Sequence, residues 1–140
     1  MKTHKSLVLL VAGALLLSTL ACSVTSLIGG NPTASNFYMA TDNTGGSSTT
    51  TYSSNQDFFV FFSVSSIPSG TQFEAKWYAL DGQGGQNASV PFQTTDYTYQ
   101  SGVSQVYFQL TNSGGWPTGN YKVEVYMNGA KIGEQDFSVQ

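Results

Sequence analysis

The sequence predicts an all-β fold, a single antiparallel β-sandwich of about seven strands, on three observations. From about Asn36 onward, aromatic and β-branched residues alternate with polar ones in short runs, the two-residue period of a half-buried strand. Clusters of glycine, proline, asparagine and serine separate the runs, as turns separate strands. The stretch 36–140, about 105 residues, can bury one hydrophobic core and is too short for two. It shows no internal repeat.

Ahead of this domain, Lys2 and Lys5 lead into an apolar stretch at residues 7–17, followed by small residues up to Ala21. A spanning helix needs roughly 20 apolar residues. A shorter run behind a basic head reads as a secretory signal, so residues 1–21 are expected to be removed. Cys22, the one cysteine of the chain, follows directly after Leu20-Ala21. The segment resembles the lipobox of bacterial lipoproteins, in which lipid is joined to the thiol and cleavage leaves the cysteine as the new N-terminus. The leucine usual three places ahead is Thr19 here, with Leu20 one place later. The other reading is an ordinary signal with a leftover thiol. Acylation would remove the reactive thiol that an exported one-cysteine domain otherwise carries. A single acyl chain anchors only marginally, so the diacyl or triacyl group implied by the resemblance is what would hold the chain to its expected partner, a membrane. The expected location is the bacterial cell envelope, on the outer face of the plasma membrane or in the outer membrane. Residues 22–35, with two glycines and a proline among small polar residues, are expected to form a flexible tether. Fully extended, residues 23–35 reach about 43–47 Å.

Within the domain, a first strand is expected over residues 36–41. The Gly-, Ser- and Thr-rich residues 45–54 read as a mobile surface loop with room for a short strand. Residues 57–65 place Phe58, Val60, Phe62 and Val64 on one face. Ile67-Pro68-Ser69-Gly70 is expected to act as a hairpin turn into a neighbouring strand with Phe73, Ala75, Trp77 and Ala79 inward, and Gln72, Glu74, Lys76 and Tyr78 outward. Val106, Phe108 and Leu110 mark another strand. Tyr121, Val123, Val125 and Met127 alternate with Lys122, Glu124 and Tyr126 in the next, and Phe137 with Val139 closes the chain. Asn128-Gly129 between the last two strands is a two-residue hairpin signal, because both central positions of a type I′ turn need positive φ.

Trp77, inward on the strand after the first long turn, and Gly119-Asn120-Tyr121-Lys122-Val123, opening the penultimate strand, together resemble the immunoglobulin-like superfamily. The resemblance implies that Trp77 sits in the core and that the Tyr121 hydroxyl bonds back to the backbone as a corner. Val123 and Phe62 stand where the inter-sheet cysteines would be. The two sheets are therefore expected to be joined by apolar packing alone, as in many bacterial and fibronectin-type relatives. Trp116-Pro117-Thr118-Gly119 and the segment after it also resemble the C-terminal half of immunoglobulin-like domains in bacterial surface lipoproteins. The resemblance covers residues 57–140 and concerns topology, which by itself says little about function.

Without residues 1–21, three lysines (Lys76, Lys122 and Lys131) face eight carboxylates, a net charge of −5, with no arginine and no histidine. Nucleic acid is excluded as an expected partner, since three lysines build no basic stripe. The proton shuttle, the imidazole ligand and the free thiol are missing, and no carboxylate pair or Ser-Lys spacing replaces them, so no enzyme and no cofactor are expected. The loops Asp42-Asn43-Thr44-Gly45-Gly46 and Asp81-Gly82-Gln83-Gly84-Gly85-Gln86-Asn87 look superficially like cation sites. Each has one carboxylate and no distal glutamate, so no metal is expected either.

The remaining surplus is aromatic. Phe59, Phe61, Tyr107, Tyr78 and Tyr126 fall at outward positions, and large exposed rings suit protein hot spots and stacking on sugar rings. Phe59 and Phe61 have a second reading, cover by the loop 43–55. The expected function is a non-catalytic, lipid-anchored envelope protein whose domain binds a protein or a glycan. The alternative is an accessory subunit docked in an envelope assembly.

Overall fold

The computed structural model describes residues 30–140; the expected signal segment, Cys22 and most of the expected tether lie outside the described residues. Eight strands form two sheets: β1 (Thr33–Ala40), β2 (Thr51–Tyr52), β3 (Phe58–Ser65), β4 (Gln72–Ala79), β5 (Gln93–Thr98), β6 (Gln105–Leu110), β7 (Gly119–Met127) and β8 (Ala130–Val139). One sheet has the order β1-β3-β6 and the other β2-β8-β7-β4-β5. Every pairing is antiparallel except that of β2 with β8.

Alternation accounts for β3, β4, β6 and β7, whose apolar sets fill the space between the sheets. Three elements differ from the sequence expectation. The first strand starts at Thr33, not Asn36, with Thr33, Ala34 and Ser35 paired to Ser65, Val64 and Ser63. A bulge follows, with Asn36 at φ 54°, and pairing resumes at Tyr38↔Phe61. The bulge breaks the two-residue period, which hides the strand's start. β5 was not expected at all, because Gln93-Thr94-Thr95-Asp96 offers no apolar face; it is an edge strand held by β4. The Pro68–Gly70 turn carries the chain from one sheet to the other, with Thr71 N and Oγ1 donating to Pro68 O at 3.2 and 2.8 Å.

The Asn128-Gly129 hairpin is as expected: φ is 49° and 82°, and Met127 pairs directly with Ala130. Trp77, Val123 and Phe62 are fully buried, so apolar contact stands where a disulfide would join the sheets. The Tyr121 corner is present, with Oη donating to Pro117 O at 2.6 Å. At the centre of the core, Phe58 stacks on Trp116 at 4.5 Å and meets Phe137 and Tyr52 edge-on at 4.6 and 4.8 Å. Tyr52 Oη donates to Ala40 O at 2.8 Å across the sheets, and burial pushes its hydroxyl pKa up.

The two poles of the sandwich are unlike. The near pole holds the start of β1, paired to Ser65, and the short connections 66–71, 99–104 and 128–129. The far pole holds the longer loops 41–50, 80–92 and 111–118.

Candidate binding site

The five outward aromatics do not form one surface. Phe59, Phe61 and Tyr107 lie on the outer face of the three-stranded sheet, Tyr78 and Tyr126 on the outer face of the five-stranded one. Nor are Phe59 and Phe61 exposed binding residues: they retain 5% and 2% of their surface. Tyr38 stacks on Phe61 at 5.2 Å, and Tyr107 lies 5.1 Å from Phe61 and 6.0 Å from Phe59. The 41–49 loop folds back over them, bringing Gly45 against Phe61. Of this set only Tyr107 is exposed, at 43%.

The Thr-rich segment is pinned, not a free surface loop. The Asp42 carboxylate accepts from Thr44 N (2.8 Å), Ser47 N (3.0 Å), Gly46 N (3.3 Å) and the Thr44 hydroxyl. These bonds, led by those of Thr44 and Ser47, hold the Asp42 carboxyl well below the usual range. The next stretch becomes β2, with Ser138 N donating to Thr50 O and Gln140 N to Tyr52 O, both at 2.9 Å. Asp42 is thus spent on its own loop.

The outer face of the five-stranded sheet holds a charge cluster that alternation alone reads as solvated. Its centre, Glu124, is only 8% exposed. Lys122 Nζ, Tyr126 Oη and Lys131 Nζ donate to its carboxylate at 2.8, 2.8 and 3.2 Å. Lys122 lies over the Tyr78 ring at 5.0 Å, and Lys76 lies over the Tyr126 ring at 4.4 Å while pairing with Glu74 at 2.9 Å. All three lysines among the described residues are therefore engaged here, and Tyr78 and Tyr126 are half-buried among them.

Burial pushes the Glu124 carboxyl up, but the hydrogen bonds from Lys122, Tyr126, Lys131 and Tyr78 outweigh it and bring the pKa down to about 2 from 4.5. With the folded value below the unfolded one, ionised Glu124 stabilises the fold above pH 4.5, and that contribution is lost as pH falls toward 2. Glu124→Gln should therefore lower stability at neutral pH by about 1–3 kcal/mol. It should also flatten the acid limb of thermal midpoint against pH, followed by circular dichroism. A variant whose acid limb still matches that of the parent would show that the cluster does not hold the fold.

The far pole carries a cleft of about 290 Å³ between the 80–92 and 111–118 loops. Trp116, Phe92, Tyr121 and Pro117 line it together with the amides of Gln83, Gln86 and Asn112, and no charged side chain lines it. Both walls are latched to the fold. Asn120 N and Nδ2 donate to Asp81 Oδ2 at 2.8 and 3.0 Å, Gln83 Nε2 donates to Asn120 O at 2.7 Å, and Asp81 N donates to Gln83 Oε1 at 2.9 Å. On the other wall, Asn112 Nδ2 donates to Gly115 O at 2.6 Å and its Oδ1 accepts from Gly114 N at 3.0 Å. Trp116 Nε1 donates to Gln56 O at 3.0 Å. The Asp81 carboxylate is taken up by Asn120 of β7, as Asp42 is by its own loop, and no group of three metal-ligating side chains occurs among the described residues. The sequence reading did not single out this cleft. Its only signal is that two large aromatics, Phe92 and Trp116, fall in turn-rich segments outside the alternating runs.

No protein-family model and no curated protein matches the sequence. Among solved structures, an immunoglobulin-like protein from Pseudomonas aeruginosa superposes with a TM-score of 0.58 at 12% identity, over 81% of this chain and 99% of that one. At this identity the likeness shows the fold, an immunoglobulin-like β-sandwich. Two others share less of the arrangement. The alkylpurine DNA glycosylase AlkC of Pseudomonas fluorescens has a TM-score of 0.48 at 10% identity, over 80% of this chain and 31% of that one. The superoxide reductase (neelaredoxin) of Ignicoccus hospitalis has a TM-score of 0.41 at 16% identity, over 80% and 82%.

Proposed function

We propose that the protein is a non-catalytic binding module, held at the bacterial cell envelope by lipid on Cys22 and contacting a protein or glycan with its far pole. The observation that carries this reading is the polarity of the sandwich. The chain enters at the near pole, where Gly30 lies against Ser66 and Thr33 pairs with Ser65. An anchor upstream of that point attaches the domain by its short-turn pole through the expected tether and leaves the other pole free. The long loops and the cleft lie a strand's length from the attachment point, about 26 Å for the eight residues of β3.

The accessory-subunit reading needs an apolar face that a partner covers permanently. Phe59 and Phe61, the residues that would supply it, are already covered from within the chain, which favours the free-standing module.

Both readings meet one experiment: the intact chain and Cys22→Ser are expressed in a bacterial host and fractionated, and the mature mass is measured. A lipid-sized mass increment, membrane retention of the parent and loss of both in the variant are expected. A parent that is soluble with an unmodified thiol overturns the anchor. The chain from residue 23 onward, which contains the whole core, should sediment as a monomer; stable self-association would instead favour the docked subunit.

A further inference from the structure

We infer that the far-pole cleft is a binding site for a neutral saccharide, one or two sugar rings at a time. This deepens the binding reading above and rests on it for the direction in which the cleft opens. The volume of about 290 Å³ lies just under the usual range of about 300–1,000 Å³ for small-molecule sites, the size of a small ligand.

Charge decides the first feature of the ligand. In a domain with eight carboxylates, no charged side chain lines this cleft, and Asp81, on the loop that forms one wall, is turned to Asn120. An ionic ligand would leave water and find no counter-charge, so an uncharged one is preferred. The apolar part of the lining decides the second feature. Trp116 packs on Phe58, keeps 8% of its surface exposed and meets Phe92 at 6.1 Å. A ring with an apolar C–H face can rest on such aromatic surface.

The amides decide the third. Asn112 uses one amide hydrogen and one oxygen lone pair within its own loop, and Gln83 uses one hydrogen on Asn120 O of β7 and one lone pair on Asp81 N of its loop. Asn112 keeps a second hydrogen and a second lone pair, a donor and acceptor side by side, while Gln83 keeps a second lone pair, its other hydrogen facing the Tyr121 hydroxyl. That pairing matches the hydroxyls of a sugar edge, which donate and accept at once. Because the loop bonds already fix both side chains, binding costs little further ordering of them. Gln86, which lines the same cleft, makes no hydrogen bond with its own side chain among the described residues and can close on a ligand. A proline-rich segment also seeks aromatic surface, but it needs a ridge of exposed rings along a groove. Here Trp116 and Tyr121 are largely buried and only Phe92 is half-exposed, in a short cup.

The protein has two tryptophans, Trp77 in the core and Trp116 in the cleft. Their indole N–H signals in a nitrogen-15 correlation spectrum therefore report separately. The chain from residue 23 onward is titrated with glucose, galactose, N-acetylglucosamine, cellobiose and chitobiose, and separately with a proline-rich peptide and with an anionic sugar, glucuronate. The expected result is a saturable shift of Trp116, with Trp77 unmoved, by at least one neutral sugar at millimolar concentration. Phe92→Ala and Gln86→Ala should each weaken that binding by about tenfold, while both spectra remain those of a folded domain. A Trp116 shift caused only by the peptide or only by glucuronate overturns the neutral-saccharide assignment and leaves the binding module standing. No shift with any probe overturns the cleft as a site. Neither result touches the anchor, which the Cys22→Ser fractionation tests independently.

Discussion

Phe58→Ala should bring the domain to the edge of unfolding. The ring is wholly buried and packs against five others, those of Tyr52, Trp77, Trp116, Tyr121 and Phe137, at centroid distances of 4.5–6.4 Å. Removal of a buried phenylalanine ring costs about 3–5 kcal/mol through lost transfer energy and the cavity left behind. Domains of this kind are stable by only about 5–15 kcal/mol. Three of the five neighbours are kept from collapsing into the space by bonds made elsewhere: Tyr52 to Ala40 O, Trp116 to Gln56 O and Tyr121 to Pro117 O. Urea unfolding followed by tryptophan fluorescence reads the loss as a lower midpoint at unchanged slope. A cost below that of an ordinary surface substitution would mean that the two sheets are not joined through this cluster.

Gly133→Ala should cost about 1–3 kcal/mol by overpacking, a large penalty for one methyl group. Gly133 lies in β8 opposite Val125, beside the irregularity in the β7–β8 ladder. A Cβ there would stand 2.6–2.7 Å from three atoms of the Phe37 ring. That half-buried ring reaches across from β1 and is backed by Phe62, which stacks on it at 5.2 Å. The same calorimetric or denaturant measurement on Phe37→Ala, and on the double variant, separates the clash from any change in strand propensity. If Phe37 is the obstacle, the second substitution recovers part of the loss in the double variant. Strict additivity would place the cost in the β8 backbone instead.

What the sequence conveyed well was whatever a single strand determines about itself. The inward sets of β3, β4, β6 and β7, the Asn128-Gly129 turn and the Tyr121 corner are each written in a few adjacent residues. What it concealed depends on neighbours from elsewhere in the chain. Phe59 and Phe61 occupy outward positions by alternation, and only the return of the 41–49 loop, fixed by Asp42, makes that face a second small core with Tyr38 and Ala40. Glu124 likewise looks solvated along β7, yet residues of β4 and β8 surround it on the sheet. β5 carries little apolar pattern because it is an edge strand of which only Tyr97 packs against the core. The cleft brings together Gln83, Phe92 and Trp116 from two loops and could not be read from any one of them.

The antiparallel pairing of β1 with β3 gives the domain a mechanical character. β1 runs from the near pole to the far pole, with partners from Thr33↔Ser65 to Ala40↔Phe59. A pull on the chain ahead of Thr33, resisted by a ligand held at the far pole, acts along the strand axis, while the ladder bonds lie across it. The load therefore falls on all those bonds at once, as shear, and does not peel them one after another. At the far end of the strand, the Tyr52 bond to Ala40 O transfers the remaining tension to the aromatic centre of the sandwich.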